Sequence, residues 1–230
     1  MIPSGNRREC YLCGAPATTE DHVPPQGMFP KPRPHNLIKV PACGPCNNGR
    51  SLDDEYFRLV VAALSDDSPQ SMVLLHQRIL PRAREHPALI VRFLNGRRMV
   101  PAKNPGRIPI GRRPEVKIEL PRIQAVIDKI VRGLFFKHTG RRLGEDSLVE
   151  DFLFKPAFTE LGQAKIINLP LFLVGDGTVF SYRYELPDST GCESAWFLMF
   201  YNDTSLFVAT TTSLAGAPQT GERSTPSLSD

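Results

Sequence analysis

The sequence predicts an α+β protein: a cysteine-bearing N-terminal module, then helices, then a C-terminal antiparallel β-meander. Three observations carry this. Four of the five cysteines fall within the first 46 residues. An apolar stripe of helical period runs through residues 122–138. From Ala164 onward, short β-rich runs alternate with turn signals.

The chain has 230 residues, 41% of them hydrophobic, enough for a packed core in one or two domains. Its longest apolar runs, Leu59–Leu64 and Leu169–Val174, fall well short of the ~20 residues that span a bilayer. No apolar segment follows the charged N-terminus, so a signal peptide is not expected and a soluble cytoplasmic protein is. Composition shifts divide the sequence into a module over 1–66, an α+β domain over 67–214, and a Ser/Thr/Pro/Gly-rich tail over 215–230 that is expected to be disordered. The net charge of +4 hides an asymmetry. Residues 78–142 carry 17 basic and 4 acidic side chains, whereas 143–230 carry 4 and 12. A basic block of that size suggests a polyanion-binding face.

The cysteines form two pairs, Cys10-x2-Cys13 and Cys43-x2-Cys46, with 29 residues between them. In a reducing compartment such knuckles read as a metal site, not as a disulfide framework. Four thiolates at tetrahedral corners suit Zn2+, and a closed all-sulfur shell makes it structural. Between the knuckles lie Asp21-His22, a Pro-rich loop to Pro34, and His35-Asn36; Asn47-Asn48-Gly49-Arg50 closes the second knuckle. Asp21 and His22 are, respectively, a hard-cation ligand candidate and a general-base candidate.

The ordered set Cys-x2-Cys, Asp21-His22-x-x-Pro25, Asn36-Leu37 and Cys-x2-Cys-Asn47 resembles the HNH endonuclease family, whose catalytic unit is a ββα-metal module. The resemblance covers residues 9–60 and is of the H-N-N variant. It implies that His22 is the general base, that Asp21 and Asn47 ligate a catalytic Mg2+ or Mn2+, and that Asn36 braces the loop and orients the base. His35 rivals Asn36 for the middle position and reads better as a loop histidine. The expected reaction is hydrolysis of a DNA phosphodiester, leaving 5′-phosphate and 3′-hydroxyl ends; no residue excludes RNA. Arg50, one turn beyond Asn47, and the basic Arg97, Arg98, Arg112 and Arg113 are expected to hold backbone phosphates. The rival expectation is a non-catalytic zinc-knuckle protein that binds nucleic acid or a protein partner.

Ser51-Leu52-Asp53-Asp54 reads as a capping box that opens a helix over Leu52–Leu64, with Tyr56, Leu59, Val60 and Ala63 on one face. The acids Asp53, Asp54 and Glu55 then complement the helix dipole in its first turn. A second helix is expected over Gln70–Leu80, ending near Pro81. Residues 92–113 read as a basic loop or hairpin, and Val116–Leu120 as a short strand. The helix over 122–138 stops at Gly140. Expected strands are Lys165–Asn168, Leu171–Val174, Val179–Glu185, Ser194–Tyr201 and Ser205–Thr210.

Overall fold

Strand β1 (Thr19–His22) pairs antiparallel with β2 (Lys39–Ala42), placing Asp21 opposite Val40 and His22 opposite Lys39. Strand alternation turns Asp21 inward, where it is 4% exposed, while His22 stays half-buried at the strand end. This computed structural model describes residues 9–65, 68–85, 87–88, 91, 97–103, 108–144, 147–154, 166–186, 192–202 and 205–213. The expected tail at 215–230 lies outside them.

Helix α1 (Gly44–Asn48) starts from Cys43, and α2 (Ser51–Leu64) follows after a two-residue break. Tyr56, Phe57, Leu59, Val60, Val61 and Ala62 of α2 are buried; Ala63, expected on the same face, is exposed. The capping box does not form. Arg50 occupies the cap position without a side-chain cap bond. The acids serve a distant helix instead: Asp53 pairs with Arg122 at 2.7 Å and Asp54 with Lys129 at 3.3 Å.

Helix α3 (Pro69–Leu74) runs through a π-helical turn (Leu75–Ile79) into α4 (Leu80–Glu85). It therefore continues past Pro81, where the sequence predicts a stop. Proline clashes with the carbonyl four residues earlier. The wider π turn, in which the Leu80 N–H bonds to the Leu75 carbonyl, opens the helix just before Pro81.

In the stretch read from the sequence as a loop or hairpin over 92–113, β3 (Arg97–Lys103) pairs with β4 (Pro109–Val116) as a separate two-stranded sheet. The strand expected over 116–120 is not formed. The Glu119 N–H is instead donated to Tyr56 Oη at 2.8 Å, and helix α5 (Leu120–Thr139) begins at once. Its stripe of Ile123, Val126, Ile127, Ile130, Val131, Leu134 and Phe135 is buried as predicted. Gly140 closes it in the left-handed region at φ 67°, its N–H bonding to the Phe136 carbonyl.

The C-terminal part builds an antiparallel five-stranded sheet in the order β5-β9-β8-β7-β6. Its strands are β5 (Ser147–Phe154), β6 (Phe172–Val174), β7 (Phe180–Glu185), β8 (Cys192–Phe200) and β9 (Ser205–Ser213). The last four match the predicted meander. Edge strand β5 was not predicted, because Glu150-Asp151 interrupts its apolar alternation. Of the strand expected over 165–168, Lys165 lies outside the described residues; Ile166 and Ile167 sit in a helical turn closed by the Leu169 N–H on the Ile166 carbonyl. Phe57 of α2 meets Phe200 of β8 edge-on at 5.5 Å, and one continuous core runs from Cys10 to Ala209. No helix among the described residues is long and apolar enough to cross a membrane.

Candidate metal centre and adjoining cleft

The ligand sulfurs of Cys10, Cys13, Cys43 and Cys46 all lie within 4.8 Å of one another, and Cys13 Sγ is 3.7 Å from Cys43 Sγ. A tetrahedron with metal–sulfur bonds of about 2.3 Å has edges of about 3.8 Å, so the four sulfurs fit a structural metal such as zinc. The backbone prepares the site. The Gly14 N–H closes the first knuckle on the Cys10 carbonyl at 2.9 Å, and the Asn47 N–H closes the second on the Cys43 carbonyl at 3.0 Å. Burial pushes the Cys10 thiol up, but the amides of Cys13, Cys43 and Leu12 outweigh it and hold the thiol down to about 7. Cys46 is pushed up, first by burial and then by its thiol neighbours.

Beside this centre opens a cleft of about 520 Å3, lined by both Asp21-His22 and Asn47. The backbone places them. His22 ends β1, Asn47 sits in α1, and the Asn47 Nδ2 group donates to Thr19 Oγ1 at 3.0 Å and to the Glu20 carbonyl at 3.2 Å. That leaves Asn47 Oδ1 without a partner among the described residues. Burial lowers the pKa of His22, helped by Lys39 and opposed by Asp21, so the neutral imidazole that can accept a proton is favoured.

Asp21 is placed differently from the open ligand that the sequence suggests. Its Oδ2 accepts from Tyr11 Oη at 2.9 Å and lies 3.2 Å from Lys129 Nζ, while Oδ1 accepts the His22 N–H at 2.8 Å. Lys129, 2% exposed, bridges Asp21 to Asp54. Asp54 lines the cleft, its Oδ1 is buried without a hydrogen bond, and burial raises its pKa despite Lys129. The centre of this carboxylate pair is thus held by an ammonium group. Both Asp21 oxygens are thus already engaged, by Tyr11, Lys129 and the His22 N–H.

Asn36 is not among the residues lining the cleft; its Oδ1 accepts the Gly175 N–H at 2.8 Å, which ties the Pro-rich loop to the β6–β7 turn. His35 lies on the same exposed loop. Three of the arginines named from the sequence, Arg50, Arg98 and Arg112, are also not among the residues lining the cleft. Arg50 donates to the Ala125 carbonyl of α5 at 2.9 Å, Arg112 to the Met99 carbonyl within the hairpin at 3.0 Å, and Arg98 is exposed on β3. The side chains of Arg97 and Arg113 lie outside the described residues. The basic groups that do line the cleft are Arg33, Arg58, Arg78 and Arg82.

Sequence reasoning missed Tyr11, Lys129 and these four arginines. Lys129 left a trace: a lysine three residues past Val126 borders an otherwise apolar stripe. The arginines left none, since they come from a loop and three helices that only the tertiary fold brings together. No protein-family model, curated protein or solved structure matches the chain significantly.

Proposed function

We propose that the chain is a nuclease of the HNH type that hydrolyses phosphodiester bonds of DNA. One observation carries the reading: the imidazole of His22, held toward its neutral form, lines a cleft together with Asn47 and four arginines, next to a four-thiol metal site. A water attacks phosphorus and gives its proton to His22 as the P–O bond to the 3′ oxygen breaks, and the leaving 3′ oxygen takes a proton from solvent. The products are a 5′-phosphate and a 3′-hydroxyl. Arginines suit the developing phosphate charge because their planar fork donates two hydrogen bonds to one anion. The HNH resemblance implies a catalytic Mg2+ or Mn2+, but the commitment of Asp21 to Lys129 does not fit that role.

The same commitment favours a second reading, a non-catalytic zinc-knuckle protein that binds nucleic acid. One assay separates the two. Zinc-loaded protein is incubated with plasmid DNA, single-stranded DNA and RNA, with Mg2+, Mn2+ or neither. Nicking or linearisation of plasmid by the wild type, lost in His22→Ala, supports the nuclease. Equal products from both proteins, or none under any condition, overturn it.

A further inference from the structure

Arg58 enters the cleft from α2 in an unusual state. Its side chain is only 12% exposed, its Nε is buried without a hydrogen-bond partner, and the carboxylate it pairs with among the described residues, Glu55 Oε1, stands at 3.8 Å. A buried guanidinium left short of acceptors is costly. Burial presses against its charged form more strongly than Glu55 supports it. Arg33, from the Pro-rich loop, shows the same orphaned Nε. Arg78 of the π turn lines the same cleft.

The acids around the cleft do not supply the missing acceptors. Asp21 and Asp54 share Lys129 through their Oδ2 atoms, Glu20 pairs with Lys39 at 3.2 Å, and Glu55 is taken by Arg82 at 2.9 Å; Asp54 Oδ1 has no hydrogen bond and so accepts none from Arg58. The backbone, in turn, has been cleared for the guanidinium. Arg58 lies against Gly27 in the short 3-10 turn Gln26–Met28, where a Cβ would stand 2.3 Å from Nη1. Tyr201 Oη fixes that turn from the C-terminal sheet by donating to the Met28 carbonyl at 3.0 Å.

We propose that Arg58, with Arg33 and Arg78, forms an anion seat that takes a backbone phosphate of the nucleic acid beside His22. The seat replaces the basic hairpin at 97–113 as the principal phosphate contact of the cleft. That the anion is a nucleic-acid phosphate rests on the nuclease reading; that the cleft accepts an anion rests on the unpartnered guanidinium atoms alone.

The test uses full-length, zinc-loaded His22→Ala protein, whose binding is not obscured by cleavage. Its affinity for a fluorescein-labelled DNA duplex is followed by anisotropy across a salt series. Arg58→Gln should weaken binding at least about tenfold and lower the salt slope by about one. Gly27→Ala should weaken binding in the same direction with the arginine still present, because the flexible guanidinium end must move aside. Arg98→Gln on the hairpin should change affinity less than Arg58→Gln. Parent-like affinity in both Arg58→Gln and Gly27→Ala overturns the seat, as does failure of the parent to bind the duplex at low salt. Should Arg58→Gln lose its fold by circular dichroism, Gly27→Ala decides alone. The two proposals fail separately. A wild type that never cleaves, with weakened binding in these variants, removes the nuclease and leaves the seat. A wild type that cleaves, with binding unchanged, does the reverse.

Discussion

A lysine buried between two aspartates carries a desolvation cost that only intact pairing offsets. Lys129 Nζ reaches Asp21 at 3.2 Å and Asp54 at 3.3 Å with 2% of its surface exposed. Lys129→Met keeps the apolar stem and removes the charge, leaving two carboxylates face to face. It should cost about 3–5 kcal/mol, measured as a lower urea midpoint at neutral pH, with much of the loss recovered at acid pH as Asp54 protonates. His22 gives the opposite sign. Burial lowers its folded pKa below the usual ~6.5, so neutral imidazole persists to lower pH than in a free histidine. If His22 is the base, the cleavage rate should rise with pH and level off through an inflection below ~6.5; an inflection above that value would contradict the role. At this scale the sequence was read well where chemistry was local. Cys10, Cys13, Cys43 and Cys46 converge as their spacing predicts, and His22 and Asn47 share a cleft. It was read poorly where a partner lay far away. Asp53 and Asp54 read as a capping box because their real partners, Arg122 and Lys129, are about 70 residues distant.

Helix α5 is the element on which the cleft depends. It supplies Lys129 to Asp21, and one turn later Gly133 brings its backbone against β1's continuation. A Cβ at Gly133 would stand 2.5 Å from Val23 Cγ2, and Val23, next to His22, is 1% exposed. A buried Val cannot swing aside as a surface side chain can. Gly133→Ala should therefore lower stability by about 1–3 kcal/mol even though alanine is the better helix former. It should also shift the amide resonances of His22 and Val23. A stabilised variant with unmoved resonances would show that the contact is loose. Periodicity made α5 legible almost to the residue, since seven apolar positions share one face. Strand β5 was not legible: it sits at the sheet edge, where pairing with β9 comes through backbone bonds and the side chains need not alternate cleanly. The passage of α3–α4 through Pro81 was hidden for a related reason, because a π turn is a backbone adjustment with no side-chain signature.

For the molecule as a whole, the four-thiol cluster and the cleft share the segment from Cys43 to Asn47, so metal and cleft should respond together. Purified protein should carry about one zinc per chain by elemental analysis. Chelation, or Cys10→Ser, should lower the melting temperature and, on the proposed nuclease reading, abolish nucleic-acid binding, with recovery of the wild type on adding Zn2+. Chelator-insensitive melting would show that the thiols hold no structural metal. The charge asymmetry of the sequence is also redistributed by the fold. Lys129 and Arg132 of the basic block are consumed in ion pairs with Asp21, Asp54 and Asp128, while Arg33 and Arg58, outside that block, line the cleft. The bond from Tyr201 to the Met28 carbonyl, 173 residues apart, has a consequence in time. On a ribosome, all four cysteines have been made by residue 46, so the thiols can capture a metal early, once they leave the exit tunnel. The turn that carries Gly27 gains its anchor only once β8 has been made. Metal capture and the fixing of the cleft are thus separated in synthesis by the whole stretch of chain between Cys46 and Tyr201.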